Sequence, residues 1–493
     1  LEKVIVIGSG FAGLSAACFL AKAGADVTVL EKNTTPGGRA RSFEAKGFMF
    51  DMGPSWYWMP DVFERFFNHF GKSASDYYNL IRLDPSYQVI WDDETVPVPA
   101  DYEALKDLFE QKEKGAGKKL DDFLKEAAFK YDAGINNLVY KPGLSPLEFA
   151  RWDVIKSAFR IDILTSMHKH VRSFFTNPKL LQLTEFPILF LGALPENTPA
   201  LYSLMNYADM KLGTWYPEGG MVKIVEGMYT LAQSLSVQFK FEEAVEEVVV
   251  SQGEVNTIVT GKGSYDADAI VMACDYHHAE QLLPKQYRNY TEQYWDSRSM
   301  APSSLIYYLG FDTRIDKLTH HNLFFDAPFE QHAGELYTTP MWPKDPLMYA
   351  CCPSKTDNSV APAGCENMFV LIPVAPGLDD TEETRAKYYE IIMNKLELRT
   401  GQQLRDKVVF KKSYAHKDFV NDYNAYKGNA YGLANTLMQT AFLKPSLKNK
   451  KVKNLFYAGQ LTVPGPGVPP SLISGEIVAG QVQELLTKKM YSL

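Results

Sequence analysis

The run VIVIGSGFAGLSAACFLAKAGADVTVLEKN, residues 4–33, most constrains what this chain can fold into. Val4, Ile5, Val6 and Ile7 form a short β-branched stretch with no polar alternation, as expected of a strand covered on both faces by helices. Gly8, Gly10 and Gly13 then supply a tight turn, a close backbone approach to a pyrophosphate and close helix packing. The helix expected over Leu14 to Ala23 offers its N-terminus to phosphates. A second strand, Asp26 to Leu30, ends at Glu31, where an acidic side chain suits a pair of ribose hydroxyls and would repel a 2′-phosphate. The glycines alone would equally make a structural turn. Strand, helix and acid in register favour a nucleotide.

The following residues narrow the choice of nucleotide. Gly37 and Gly38 allow the backbone to turn close to a ligand, and Arg39 and Arg41 place fixed positive charge just beyond the ribose-binding acid. A nicotinamide dehydrogenase has no evident need of that second basic element, whereas a flavin dinucleotide threaded deep through a protein has one. A solvated basic loop is the plain alternative.

At 493 residues the chain exceeds one simple core, and roughly 100–200 residues per domain implies two or three. The net charge of −8 disfavours nucleic acid, and 13% aromatic residues point to large apolar surfaces. Five cysteines, Cys18, Cys274, Cys351, Cys352 and Cys365, are odd in number and lack CxxC spacing, which fits free thiols in a cytoplasmic protein. The paired histidines, among them His320 and His321, have no carboxylate or cysteine at ligand spacing, so no metal site is expected. No signal-peptide pattern precedes the first strand, and no apolar run approaches the ~20 residues of a membrane span.

From Ala100 to about Met210 the pattern turns helical, with a Lys-rich interruption at Lys112 to Lys119. Within it, FPILFLGALP is too short to span a bilayer. It either dips into one leaflet beside a basic helix face or forms a buried core helix. Strands are expected over Phe239 to Val250 and Ala267 to Asp275, with Asp275 capping the next helix. Ser303 to about Lys427 alternates short strands and Pro/Gly turns, the pattern of a mainly antiparallel sheet. A last strand, Asn454 to Ala458, leads through a Gly/Pro turn into a helix from about Ser471.

A fingerprint at one end of the chain completed by a strand, glycine loop and helix at the other fits a ligand bridging both ends. Here the sequence resembles the flavin-containing amine oxidase superfamily and, within it, the bacterial-type phytoene desaturase family. The resemblance covers nearly the whole chain: GSGFAGL with GGRARSF, GFMFDMGPSW, GTWYPEGGM, SVAPAGC, and most specifically DYNAYKGNAYG at Asp422 to Gly432 and the final AGQLTVPGPGVPPSLISG. One departure is visible, because Gln460 and Leu461 stand where many flavoproteins carry an acidic residue.

The resemblance implies an α/β protein: a Rossmann-like FAD-binding domain (1–75, 213–300 and 445–493) interleaved with a mixed-sheet substrate domain (76–100 and 301–444), under a helical, membrane-facing lid (101–212). It assigns Gly8, Gly10, Gly13, Glu31 and Lys32 to the adenosine half of FAD. Gly38, Arg39, Arg41, Gly53, Pro54 and Ser55 would lie along the flavin and phosphate region. Val248 would meet adenine through its backbone, and Gly459, Gly467 and Val468 would sit by the isoalloxazine ring.

The implied reaction is FAD-dependent desaturation of a carotenoid, with phytoene the expected substrate. A later-acting carotenoid desaturase, a carotenoid isomerase or saturase, and a non-enzymatic lipid-binding module are the alternatives. Glu148 and Arg151, three apart on an expected helix, are candidates for proton acceptor and charge anchor. The long apolar substrate implies a protein peripherally attached to the cytoplasmic face of the membrane, with oxygen or a quinone as electron acceptor.

Overall fold

A computed structural model describes residues 2–143 and 165–491. β1 (Lys3–Ile7), α1 (Phe11–Lys22) and β2 (Asp26–Leu30) form the expected strand–helix–strand unit. β1 is the centre of a five-stranded, all-parallel sheet ordered Leu455–Tyr457, Ala269–Met272, β1, β2, Gln238–Lys240. Val4 and Val6 pack into one apolar core while Ile5 and Ile7 pack into another, which is why the strand tolerates no polar residue between them.

α1 is held between this sheet and the last helix, Val468–Tyr491, by two glycines. A Cβ on Gly13 would lie 1.9 Å from the Gly8 carbonyl oxygen, and one on Gly475 would lie 2.3 Å from that of Ala12. The Ser15 hydroxyl donates to the Leu472 carbonyl at 2.7 Å across the same contact. The last helix begins three residues earlier than expected, because Pro469 and Pro470 occupy its first turn, where a missing N–H costs nothing.

A seven-stranded mixed sheet makes the second layer, ordered Val408–Tyr414, Ser303–Phe311, Glu366–Val374, Met348–Cys351, His321–Phe324, Tyr87–Ile90, Thr95–Val98. Only the pairing of His321–Phe324 with Tyr87–Ile90 is parallel. The hairpin Ser42–Ala45/Phe48–Asp51 joins the two layers. Gly310 leaves room for the Phe48 ring, which a Cβ there would meet at 2.8 Å, and the Tyr308 hydroxyl donates to the Met52 carbonyl at 2.7 Å.

The stretch expected as strands over Phe239 to Val250 splits in two. Gln238–Lys240 pairs with β2, and Val245–Ser251 turns into a separate three-stranded antiparallel sheet with Glu254–Thr260 and Gly263–Asp266. Asp275 caps its helix as expected, its side chain accepting from the His278 N–H.

Between residues 101 and 143 and again between 165 and 212 the described chain is helical, including Tyr102–Lys112, Ala116–Tyr131, Met167–Arg172 and Pro178–Glu185. In the FPILFLGALP segment, Phe186 and Ile188 are buried in the main core, so these two positions take the core alternative. No helix among the described residues is long and apolar enough to cross a membrane. All five cysteines are free thiols.

Candidate functional site

One elongated cavity of about 470 Å³ runs from the C-terminal ends of the parallel strands into the space between the two sheets. This is the crevice where an open parallel sheet binds ligands. Its polar end is built from the turns that follow β1 and β2. Glu31 is buried, with one carboxylate oxygen accepting from the Ser9 N–H (2.9 Å) and hydroxyl (2.7 Å) and the other from the Asn33 N–H (2.8 Å) and side-chain amide (3.0 Å). Lys32 beside it donates to the Asn421 carbonyl at 2.6 Å, tying this end to the last turn of the helix His416–Tyr423. Gly37 N–H donates to the Ser9 carbonyl at 2.8 Å, and a Cβ on Gly38 would stand 3.3 Å from the Gly10 Cα. The two glycine loops therefore close over one another, leaving backbone in place of side chains along the cavity wall.

The two arginines separate in role. Arg39 lines the cavity and is half-buried, with its Nε covered. It donates to the Asn429 carbonyl at 3.3 Å, lies over the Tyr423 ring at 5.1 Å, and its Nε has no hydrogen-bond partner. Burial lowers its pKa from the ordinary range. Arg41 points away into an ion pair with Asp422 at 2.9 Å, with a further contact to the Gly38 carbonyl, and does not line the cavity. Gly53 must be glycine because a Cβ would stand 2.6 Å from the Arg39 carbonyl, and Pro54 and Ser55 continue the same wall.

The far chain end completes the site. Gly459 takes φ +118 and Gly467 φ +114, and both face the cavity together with Val468. Gly459 N–H donates to the Ser474 hydroxyl at 3.0 Å, while Gln460, at the departure from the family pattern, donates to the Asn429 side chain at 3.1 Å. The helix Val468–Tyr491 aims its N-terminus at the cavity. Pro469 and Pro470 have no N–H and the Ser471 N–H returns to the Gly467 carbonyl, so Val468 carries the amide donor of this turn that remains.

Gly13 and Val248 lie elsewhere. Gly13, in the first turn of α1, faces the Gly8 carbonyl and acts through packing. Val248 is buried behind the wall with its N–H donating to the Leu282 carbonyl at 3.1 Å, and Val245, at the start of the same strand, lines the cavity instead. The pairing register shifts between Val245 and Glu247, an irregularity that sequence alone does not display. Glu148 and Arg151 lie outside the described residues.

Beyond Ser55 the cavity becomes apolar, lined by Trp58, Phe186, Met205, Phe325, Leu336 and Leu347 among others. His332 lies on this arm, but both ring nitrogens are engaged: Nε2 with the Pro373 carbonyl at 2.9 Å and Nδ1 with the Leu347 N–H at 3.0 Å. Burial holds its pKa below the usual histidine value. The cavity's carboxylates among the described residues, Glu31, Glu243, Asp275 and Asp422, all gather at the polar end.

These residues fit FAD. A guanidinium with a covered, unpartnered nitrogen, glycine backbone over one face and a helix N-terminus at the far end suit a pyrophosphate flanked by adenosine and a planar ring. An apolar arm continuous with that end suits a long hydrocarbon.

Comparison with known proteins bears on the same point. The family described as flavin containing amine oxidoreductase matches residues 11–483. The chain is 43% identical over 482 residues to a carotenoid 3,4-desaturase of Haloarcula japonica, covering 97% of each. It is 30% identical over 486 residues to a zeta-carotene-forming phytoene desaturase of Myxococcus xanthus, covering 97% of this chain and 93% of that one. Among solved structures, an oxidoreductase from Methanosarcina mazei superposes with a TM-score of 0.64 at 16% identity, covering 98% of this chain and all of that one. Cyclohexylamine oxidase from Brevibacterium oxydans gives 0.62 at 14% identity over 99% of both.

Proposed function

Because the chain belongs to the flavin containing amine oxidoreductase family and, within it, to the carotenoid desaturases, it is an FAD-dependent oxidoreductase acting on carotenoids, and we propose that it desaturates the 3,4 bond near one end of an acyclic carotenoid. The observation that carries this reading is the continuous cavity in which the nucleotide-binding loops run directly into an apolar arm. The 43% identity to a 3,4-desaturase, against 30% to a phytoene desaturase, favours the later-acting step. Phytoene is the second reading, supported by the second relative.

Bound FAD supplies a hydride acceptor for a C–H bond that no heteroatom polarises. The chain's own task is placement. Arg39 would neutralise the pyrophosphate, and the Val468 N–H at the helix N-terminus would favour negative charge on the ring as reduction proceeds. Trp58, Phe186 and Phe325 would hold the polyene against the ring and keep water out. The remaining hydrogen leaves as a proton. Glu148 as its acceptor, with Arg151 as charge anchor, and oxygen or a quinone as the final electron acceptor are part of this proposal.

A substrate this apolar is drawn from a lipid surface. Met438, Phe442 and Leu443 are 73%, 44% and 37% exposed on adjacent short turns, followed by the exposed Lys450, Lys451 and Lys453, which supports peripheral membrane docking there.

The test is anaerobic. FAD-loaded protein is mixed with an acyclic carotenoid in liposomes, and loss of oxidised-flavin absorbance is followed together with the extracted polyene. Bleaching with a product longer by one conjugated double bond at the chain end is expected. Bleaching by phytoene alone would establish the second reading. Bleaching by neither, with carotenoid uptake verified, would overturn the desaturase assignment.

A further inference from the structure

Beneath the wall of the main cavity lies a second constellation that the desaturation chemistry does not use. His320 and His321 come from the start of strand His321–Phe324 and the residue before it, and Cys351 ends the neighbouring strand Met348–Cys351, directly opposite His321 in register. One ring nitrogen of each histidine and the cysteine Sγ lie within 4.8 Å of one another, and all three residues are at least 96% buried. Each imidazole anchors its Nδ1 on a hydroxyl, His320 on Thr356 at 2.8 Å and His321 on Tyr349 at 2.6 Å. Nε2 has no hydrogen-bond partner in either ring. A buried ring nitrogen without a partner is costly, and two side by side call for a ligand.

Alongside them is a cavity of about 20 Å³, lined by His320, Cys351 and the carboxylate of Asp51 among others. That volume holds one water or one ion. Asp51 already accepts from the Met221 and Val222 N–H groups at 2.8 and 3.1 Å, which leaves each oxygen a further lone pair. Two neutral imidazoles, one thiolate and one carboxylate balance a doubly charged cation. Nitrogen and sulfur donors select a borderline transition metal over magnesium or calcium. The hydroxyl held on each Nδ1 is the outer-shell contact that fixes ring orientation in metal sites.

We propose that His320, His321 and Cys351 bind one borderline transition-metal ion of the zinc(II) class beneath the substrate wall, with Asp51 across the small cavity offsetting its charge. Binding forms the sulfur–metal bond as the thiol releases its proton to solvent, and no electrons are exchanged. The ion's role is positional. Trp56 stacks on His321 with ring centroids 4.1 Å apart and an 8° interplanar angle, and the Tyr349 hydroxyl that holds His321 also donates to Ser55 at 3.0 Å. Trp56, Ser55 and Tyr349 all line the main cavity, so fixing the His321 ring fixes the surface on which the substrate rests.

Metal content of the untagged, FAD-loaded full chain, dialysed against zinc and then against metal-free buffer, tests this. Elemental analysis is expected to give about one zinc per chain, falling at least about tenfold in Cys351→Ser and His320→Gln at unchanged FAD content. Wild-type zinc below about a tenth of an equivalent would mean that the small cavity holds water and would overturn the site, as would equal zinc in wild type and folded variants. If a variant does not fold, cobalt(II) loading of the wild type decides alone. A thiolate-to-cobalt charge-transfer band supports the site, and bound cobalt without that band overturns it.

Discussion

Arg39 and Arg41 stand two residues apart and do different work. Arg39 is a half-buried cation facing the cavity with a covered, unpartnered Nε, whereas Arg41 is spent on Asp422. Charge-assisted hydrogen bonds of this kind contribute about 1.5–3 kcal/mol each. Arg39→Met is therefore expected to reduce FAD retention at least about tenfold, read from the flavin-to-protein absorbance ratio after gel filtration. Arg41→Met should lower the unfolding temperature while retaining more FAD than Arg39→Met. In the sequence both arginines look equivalent, because spacing reveals proximity to a ligand but not which side chain an acidic neighbour far along the chain will capture. Val245 and Val248 give the same lesson. Both are apolar residues of one strand, and a register shift between Val245 and Glu247 separates the one that meets the cavity from the one that does not.

At the scale of elements, α1 and the last helix determine how the two ends of the chain close on one ligand. Their contact depends on Gly475, so Gly475→Ala is expected to destabilise the fold by about 1–3 kcal/mol in urea unfolding and to weaken FAD binding with it. Asp209 gives a second element its pH dependence. It follows the helix Leu204–Tyr207 and accepts from the Tyr87 hydroxyl at 2.9 Å and the Thr214 hydroxyl at 3.2 Å, joining the helical region to the mixed sheet. Burial pushes its carboxyl up to about 7. Since the unfolded chain ionises near pH 3.8, the native state binds the extra proton between these values. Stability from this group is greatest below pH 4, falls as pH rises toward 7, and is level above it. Asp209→Asn is expected to flatten the decline in unfolding free energy between pH 5 and pH 7, measured in urea at each pH.

On the scale of the whole molecule, one cavity is lined by both chain ends and continues along residues of the mixed sheet. In the proposed function the substrate would enter that cavity from lipid, with the exposed turn at Met438 and Leu443 as the proposed docking surface. The Tyr202 hydroxyl of the helical region meets the Thr440 hydroxyl of this turn at 3.3 Å, so the two are in contact. The double variant Met438→Ser/Leu443→Ser is expected to co-sediment with anionic liposomes several-fold less than wild type while keeping its FAD. Unchanged co-sedimentation would place the docking surface elsewhere.

Local pattern is enough for the nucleotide-binding unit. An uninterrupted β-branched run, glycines at fixed offsets and an acid at the end of the second strand are steric and electrostatic requirements satisfied within thirty residues, so β1, α1 and β2 are legible in the amino-acid order itself. The Gly/Pro-rich finish and its helix are legible for the same reason. Contacts between distant segments are not. His320 and His321 have no metal-ligand partner nearby in sequence; Cys351 arrives only because two antiparallel strands pair in one register, and Asp51 only because a hairpin near the N-terminus packs beneath them. Side-chain pairing across strands depends on register, which is set by the burial of a whole sheet face, and that is a property of the folded chain.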